Sequence, residues 1–561
     1  MPFSQTSLVK SFNQERDIFD VFVYRTDDDI NTVKSSGYFE KSRYIDDPGW
    51  AGGIIQVLSS NGYSLFQINE DGESVSDNTA FLDGAVYFVG DPIGGDDATS
   101  ATANRIAIQN ALNEANAAGG GTVFLKSGTY YVNGDASNDI CLVPYGNIRF
   151  VGAGHGSTII KIATSETGPV SVVENLTTID NFEISHMQID GNRDRVPSTQ
   201  WGVLEHEGVD LKSPTNCFIH HLYVHHCGTD AIDIDQPDSC IVSDCIVEDN
   251  GGCGVHGNGQ DCTVSKIISK RNSWYRLQST QASVRLAAGS ISFSGSRHIF
   301  SEINSFQDER AISLEDPTRC VVSNVTVYQP GAGSNITGTT EIDPVTNNYS
   351  LTNTVSGGTA PTGGGCGIYI NQGTQSTIEH CNIEMRSGLV CNAIQIAGNS
   401  AQRHTIGDCQ AALGRPVLYL NGCATTTVNT STFATGNSEY NVIISNNKGK
   451  INFNGGSVTN GNTGGIRCRN ACENISFVGV DSSDNQGDGF SILGSAGDVM
   501  DNISIMSCIA NGNSSSGVQI QNNGSSPTNC NVLVSNVTGN TGLNIDDAGT
   551  GTTLISNVGW P

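Results

Sequence analysis

Titratable residues recur in this chain at matching places of successive segments, and their types are those that acid–base chemistry requires. Each segment has an apolar residue at its second position. If the segments are stacked strands, the residues at the third position form one ladder on the outer surface and those at the fifth position form another. The segments are GVDLK (208–212), AIDID (231–235), GVHGN (254–258), SISFS (290–294) and AISLE (311–315). The first series is Asp210, Asp233, His256, Ser292 and Ser313, and the second is Lys212, Asp235, Asn258, Ser294 and Glu315.

Stacked carboxylates would be close neighbours, because adjacent parallel strands lie about 4.8 Å apart. At that spacing they repel each other, and they persist when a proton is shared, a cation is bound or a substrate uses the raised pKa. Cleavage of a glycosidic bond needs a carboxylic acid to protonate the leaving oxygen and a carboxylate to activate water or attack. His256, one rung above Asp233, could tune that acid or act as the base. The alternative is that each outward Asp caps a turn and binds water without catalysis.

Two geometries compete for this chemistry. Glu207 precedes the first segment and Asp230 precedes the second, so these two would lie over each other, while Asp210, Asp233 and His256 form the other combination. Strict alternation would point Asp230 inward, so it reaches the surface only at a bend. The sequence leaves both geometries open, and all five residues are our candidate catalytic residues. Asp210, Asp233 and Asp235 could also hold Ca²⁺ through oxygen ligands, although no metal cage has diagnostic spacing and no cofactor is required.

The repeats predict the fold that positions these residues. From about residue 148 the chain falls into units of roughly 22–25 residues, each with two short alternating strands and turns of Gly, Asn and Asp. Such units bury their apolar faces only by stacking, which indicates an all-β fold, a right-handed parallel β-helix (a solenoid). Before it, residues 101–132 show helical spacing at Ile108, Leu112 and Ala115, followed by a Gly stop and a strand. The helical part predicts an amphipathic helix that would cap the open end of the solenoid.

We therefore expect three regions. Residues 1–90 are a small β-rich module, residues 91–147 are the entry to the solenoid with its capping helix, and residues 148–561 are the parallel β-helix. Long insertions at 190–205, 271–286 and 329–363 predict lateral loops on one face.

Composition excludes several classes of protein. The 561 residues carry 28 Lys+Arg and 56 Asp+Glu, and a formal charge of −28 argues against a nucleic acid partner. No apolar run is long enough for membrane insertion, and the first residues contain no secretory signal. Among the 17 cysteines, Cys217, Cys240, Cys262 and Cys320 recur at one place in the repeat, which predicts free, buried thiols and synthesis in a reducing cytoplasm.

Residues near the ladders suggest how a polymer would bind. Seven basic residues fall between Lys266 and Arg310, which favours an anionic sugar, although ion pairs that quench the carboxylates would explain them equally well. Aromatic residues in two insertions could stack on sugar rings or pack against the wall. The candidate substrate-binding residues are Trp201, Trp274, Tyr275, Arg276, Arg285, Arg310 and Glu315.

The predicted helix followed by GGGTVFLKSGTYYV (119–132) resembles the entry segment of the pectate-lyase-like β-helix superfamily, which includes phage tailspike depolymerases. The resemblance covers about residues 90–560. The stretch 29–68 is similar to short N-terminal segments of phage structural proteins, which implies attachment to phage tail or baseplate proteins. The resemblance to tailspikes further implies a homotrimer located in the virion tail and made in the host cytoplasm.

Three coils also resemble the polygalacturonase-like glycoside hydrolases, which carry Asn-Thr-Asp, Asp-Asp and Gly-His-Gly on successive coils. The matching segments are EHEGVDL (205–211), GTDAIDI (228–234) and GGCGVHG (251–257). Glu207 falls on the first Asp and Asp230 on the second of the Asp pair. Thr229 replaces the other Asp, and Cys253 falls where the family has its His, with His256 three residues further on.

Together with the carboxylate ladders, the resemblance implies a phage tailspike that binds and depolymerises bacterial surface polysaccharide, capsule or O-antigen, by carboxylate-mediated glycosidic hydrolysis. A polysaccharide lyase is the first alternative, with Asp233 or His256 as base and Arg276, Arg285 or Arg310 beside a uronate. A non-catalytic carbohydrate-binding adhesin is the second.

Overall fold

The computed structural model describes residues 85–556 and the backbone of four earlier strands. Within 85–556 it leaves out 196–205, 273–289, 307–309, 329–365, 386–391, 399–400, 435–438, 496, 498, 524–526, 544 and 550–551. Among the described residues, no helix combines the length and the hydropathy needed to cross a membrane.

The four earlier strands form an antiparallel sheet, which confirms the predicted β-rich N-terminal module. The second strand in the chain lies at one edge, followed by the first, third and fourth. The strands are Asp20–Arg25, Ile30–Thr32, Gly53–Leu58 and Ser64–Ile68.

The helix Ala98–Ala117 covers the first coils of the solenoid, as its apolar spacing predicts. Asp97 caps its N-terminus, because the carboxylate accepts hydrogen bonds from the backbone N–H groups of residues 99 and 100, at 2.9 and 3.0 Å. Ile108, Leu112 and Ala115 are fully buried against the neighbouring strands. The helix therefore shields core that the first coil would otherwise expose.

The rest of the described chain is a stack of parallel strands that forms three walls, which confirms the predicted all-β parallel solenoid. The candidate residues lie on one of them, here called the site wall. Its strands are Ile140–Leu142, Ser171–Glu174, Ile179–Asp180, Val209–Lys212, Pro214–Thr215, Ile232–Asp238, Val255–Gln260, Ile291–Ser296, Ile312–Thr318, Cys366–Asn371, Asn392–Ala397, Leu418–Asn421, Tyr440–Ser445, Gly464–Arg469, Asp488–Ser495, Val518–Asn523 and Ile545–Asp547.

The second wall contains Val86–Val89, Gly121–Leu125, Ile148–Gly152, Ile241–Ser243, Thr263–Ser265, Ile299–Ser301, Val321–Ser323, Thr377–Glu379, Gln402–Gly407, Thr425–Asn429, Lys450–Asn454, Cys472–Val478, Met500–Ile509, Asn531–Asn536 and Thr553–Ser556. The third wall contains Gly128–Val132, Thr158–Ile162, Ile246–Glu248, Ile268–Lys270, Asn304–Phe306, Thr326–Tyr328, Asn382–Glu384, Gln410–Ala412, Thr432–Ala434 and Ser457–Thr459. Two long strands, Glu183–Asp190 and Phe218–His225, turn the corner and pair in both of these walls, and a short 3₁₀ helix, Arg193–Arg195, follows the first.

The core runs along the axis of the stack. The predicted inward residues Val209, Ile232, Val255, Ile291 and Ile312 are all fully buried and pair with one another rung by rung. All described cysteines are free and buried, as predicted from their place in the repeat. The walls are therefore held by local packing between neighbouring coils.

Candidate active site

The site wall brings the first series of residues into one ladder. Backbone pairing places Asp210 beside Asp233, Asp233 beside His256, and His256 beside Ser292. Ser313 follows on the next rung. The pairing agrees with the register that the alternating pattern predicts.

The second series forms a parallel ladder two residues along the strands. Lys212 pairs with Asp235, Asp235 with Asn258, Asn258 with Ser294, and Ser294 with Glu315. The Asn258 amide donates a hydrogen bond of 2.7 Å to Asp235 Oδ1. An amide on the adjacent rung thus removes part of the repulsion that a second carboxylate would create there.

Asp233 and His256 are in direct polar contact within the first ladder. His256 Nδ1 lies 2.9 Å from Asp233 Oδ1. Burial raises the pKa of Asp233, the hydrogen bond from His256 opposes that rise, and the nearby charges of Asp230 and Asp235 add to it. The pair can therefore hold a proton between an imidazole and a carboxylate.

Asp230 lies between the bend at 228–229 and the strand Ile232–Asp238, and it is buried. Its Oδ1 accepts a hydrogen bond from the backbone N–H of Cys253. Its Oδ2 is 4.0 Å from His256 Nδ1. The two geometries left open by the sequence therefore meet in a single cluster through His256.

Glu207 is one of the buried acids of this cluster. Its Oε1 accepts a hydrogen bond of 2.7 Å from the Thr229 hydroxyl, and its Oε2 accepts one of 2.9 Å from the Ser171 hydroxyl. Burial raises the pKa of Glu207 to about 8, and repulsion from Asp230 and Asp210 contributes in the same direction. Glu207 can therefore keep its proton near neutral pH, as a general acid must.

The ladder extends one rung before Asp210, which sequence analysis missed. Glu174 pairs with Asp210 in the backbone register and is buried. Lys212 contacts Glu174 Oε1, and its Nζ lies 3.7 Å from Asp210 Oδ2. The Lys212 ammonium group thus bridges two acids at this end of the ladder. In the sequence, Glu174 is indicated only by the run SVVE (171–174), in which an acid follows three residues that can line a wall.

Arg310 and Glu315 lie beyond the cluster, on either side of Ser313 in the sequence. Arg310 is 2% exposed, with its guanidinium 4.5 Å from the ring centroid of Tyr369 and its Nη1 donating to Ser313 Oγ at 3.3 Å. Burial raises the pKa of Glu315, whose Oε2 accepts a hydrogen bond of 2.6 Å from Asn371. Arg310 is thus buried in the wall in contact with Ser313 and Tyr369, and its predicted role in binding substrate stays a prediction.

The other predicted substrate-binding residues lie outside the described residues. They are Trp201, Trp274, Tyr275, Arg276 and Arg285.

One group in the cluster has the geometry for a cation. Ligand atoms of Asp230, Asp233 and His256 all lie within 4.8 Å of one another. This set differs from the predicted Ca²⁺ set of Asp210, Asp233 and Asp235, and its imidazole nitrogen suits a transition metal better than Ca²⁺.

Comparisons with known proteins find short sequence matches. Mannuronan C5-epimerase AlgE1 of Azotobacter vinelandii is 43% identical over 95 residues, which cover 16% of this chain and 7% of that protein. Alginate lyase 7 of the same organism is 43% identical over 93 residues, which cover 16% and 11%. The chain thus spans a small fraction of the length of these relatives, and no family model matches it.

A comparison with solved structures finds matches that cover more of the chain at lower identity. The A-module of mannuronan C5-epimerase AlgE6 of Azotobacter vinelandii covers 84% of this chain and 100% of its own, with 16% identity and a TM-score of 0.36. The tailspike protein of Escherichia coli bacteriophage HK620 covers 80% and 77%, with 11% identity and a TM-score of 0.36. The N-terminal fragment of bacteriophage phi29 gene product 12 covers 81% and 89%, with 13% identity and a TM-score of 0.40.

Because these sequence identities and TM-scores are low, the fold assignment rests on the strand pairing within this chain. The chain is an all-β protein with the parallel β-helix architecture that its entry segment predicts, and its site wall carries one continuous acidic cluster.

Proposed function

We propose that this protein binds bacterial surface polysaccharide and cleaves it by hydrolysis at the cluster of Glu207, Asp210, Asp230, Asp233 and His256. The observation that carries the proposal is the environment of Glu207. It is buried, its pKa is raised to about 8, and other acids lie close enough to contribute to that rise. A proton-bearing carboxyl group beside carboxylates is the pair that glycoside cleavage needs.

In this proposal Glu207 protonates the oxygen of the leaving sugar. Asp230, which the Cys253 N–H holds in place, is the carboxylate that activates water or attacks the sugar carbon. Asp233 and His256 form the proton-holding pair beside it and fix the charge that Asp230 faces. Thr229 and Ser171 orient the Glu207 carboxyl group through its two oxygens.

An extended polymer is the substrate that suits this wall best. The outer face continues over successive rungs at a constant spacing of about 4.8 Å, so consecutive sugars of one chain can contact consecutive coils. The relatives with short sequence matches are named for mannuronan and alginate, which supports a polysaccharide substrate. We further propose that the chain is a tailspike of a phage virion. Its N-terminal module would attach to tail or baseplate proteins, and three copies would assemble.

β-Elimination on a uronate-containing polymer is the second candidate. The Asp233–His256 pair favours it, because such a pair can take a proton from carbon, and one matched relative is named a lyase. A polymer that binds without being cut would instead indicate an adhesin.

Product analysis separates these activities. The purified protein is incubated with a panel of capsule and O-antigen polysaccharides. New reducing ends without the ultraviolet absorbance of an unsaturated uronate support hydrolysis, whereas new ends with that absorbance indicate elimination. Binding without new ends overturns both enzymatic proposals.

A further inference from the structure

A second polar site lies where strands of the site wall end. A cavity of about 500 Å³ opens at this corner, and its lining includes Arg297, Arg319 and Arg403 together with Thr318 and Thr374. Ser296, at the end of the strand Ile291–Ser296, also contributes. Hydroxyl groups and guanidinium groups are donors that sugars and their anionic substituents accept from.

The three arginines belong to one column of corner residues. The Arg297 N–H donates to residue 318 and the Arg319 N–H to residue 374 of the following coil, at 2.8 and 2.9 Å. The Gln375 N–H donates in the same way to residue 402, at 2.9 Å. Arg297, Arg319, Gln375 and Arg403 therefore occupy equivalent positions of successive coils, about 4.8 Å apart per rung.

The backbone at these corners would accept smaller residues more readily. Arg297, Arg319 and Arg403 have φ angles of 59°, 58° and 59°, in the left-handed region that Asn, Asp and Gly occupy with least strain. Asn and Asp do fill many of the other corners, such as those at 181, 216 and 244. The arginines are thus not explained by the turn, which points to a role for their side chains.

Their charge is only partly neutralised. Arg297 is paired with Asp261 through two contacts, Nε to Oδ1 at 2.6 Å and Nη2 to Oδ2, and its side chain is 46% exposed. Arg319 Nε donates to the neutral Gln375 at 3.0 Å. Within the part of the chain that the structure describes, neither Arg319 nor Arg403 forms an ion pair with a carboxylate. In a protein of formal charge −28, this corner is a local site of positive charge.

We propose that this arginine corner binds the anionic substituents of a glycan, carboxylate or phosphate, that extends from the acidic cluster. Ser292, one rung above His256, and Ser296 at the cavity lie on the same strand. Four residues of strand separate them by about 13 Å, a distance that a few sugar units span. The inference rests on the proposed function for the identity of the ligand as a polysaccharide.

Binding to defined oligomers tests the inference. The full-length protein is titrated calorimetrically with oligogalacturonate, which carries carboxylates, with polyglycerol phosphate, and with neutral maltoheptaose. The double variant Arg319→Gln/Arg403→Gln removes two charges from the corner. Lys450→Gln is the matched control, because it removes one exposed positive charge from the second wall.

We expect at least one anionic oligomer to bind the wild type, and the double variant to weaken it by about tenfold or more. Lys450→Gln should bind as the wild type does, and maltoheptaose should be insensitive to the arginine changes. Equal binding of the anionic oligomers by wild type and double variant overturns the inference, as does binding of maltoheptaose alone.

Failure of the hydrolytic proposal is measured separately. Glu207→Gln lacks the proposed general acid but keeps the arginine corner, so its binding of the anionic oligomer should still depend on Arg319 and Arg403. Arginine-dependent binding without cleavage by the wild type supports the corner and overturns hydrolysis. Cleavage of a neutral polymer, without binding of either anionic oligomer, supports hydrolysis and overturns the corner.

Discussion

His256 Nδ1 lies 2.9 Å from Asp233 Oδ1, across two adjacent rungs of the site wall. The two residues are 23 positions apart in the sequence and become neighbours because the coils stack in register. Asp230 Oδ2, 4.0 Å from the same nitrogen, places this pair beside the proposed catalytic carboxylate.

This pair should behave as one unit. We expect Asp233→Asn and His256→Gln each to lower kcat/KM by about 100-fold, because either change removes the partner that holds the shared proton. The kcat/KM of the double variant should be only slightly lower than that of the less active single variant. Kinetics on the polymer that the wild type cuts give this double-mutant cycle, and strictly additive losses would show that the two residues act independently.

Glu207 should control the alkaline limit of activity. Because burial raises its pKa to about 8, activity should fall as pH rises through about 8 and the general acid loses its proton. Glu207→Gln should lower kcat by about 100-fold to 10,000-fold. Glu384→Gln makes the same chemical change at an exposed position of the third wall and should leave the profile unchanged.

Thr229 should act through Glu207. Its hydroxyl donates to Glu207 Oε1 at 2.7 Å and stabilises the ionised form, so it lowers the pKa that burial raises. Thr229→Val should therefore move the alkaline limb of the pH–rate profile to higher pH. Thr229→Ser keeps the donor and should restore the wild-type limb. An unmoved limb in Thr229→Val would contradict this role.

Stability should depend on pH through the same carboxyl group. The pKa of Glu207 is raised from 4.5 to about 8, so the folded state binds the extra proton between those values, and stability from this residue falls as pH rises through them. Glu207→Gln removes that dependence. Its Tm should match the wild type near pH 4.5 and exceed it by a few degrees above pH 8. A constant difference across the range would show that the group titrates normally.

The buried cysteines predict a fold that is insensitive to reductant. All sixteen described cysteines are free and buried, among the 17 in the sequence. No more than one thiol per chain should react with a thiol reagent under native conditions, and all 17 should react in denaturant. Reductant should leave Tm unchanged, whereas a drop in Tm would indicate a disulfide.

The ladder of Asp210, Asp233 and His256 could be predicted because each follows an inward apolar residue in a short alternating strand. In a parallel stack that alternation leaves little freedom, since a one-residue slip would turn every apolar side chain outward. Pairing confirms the register for these residues and for Ser292 and Ser313.

Other parts of the site depend on geometry that alternation does not contain. Asp230 lies between a bend and a strand, so its direction follows from the path of the backbone, and Thr229 acquires its role only because it lies over Glu207. Tyr369 pairs with Ser313 from 56 positions away, and a long insertion between them hides the repeat. The arginine corner was missed because corner residues have no apolar pattern to align.

The corner residues with left-handed backbone conformation affect which amino-acid substitutions this fold tolerates. Each corner is fixed by backbone hydrogen bonds to the next coil, so its side chain can be exchanged while the buried layer stays as it is. Substitution at successive corners would then alter the outer surface one position at a time, while the acidic cluster and the buried layer stay unchanged.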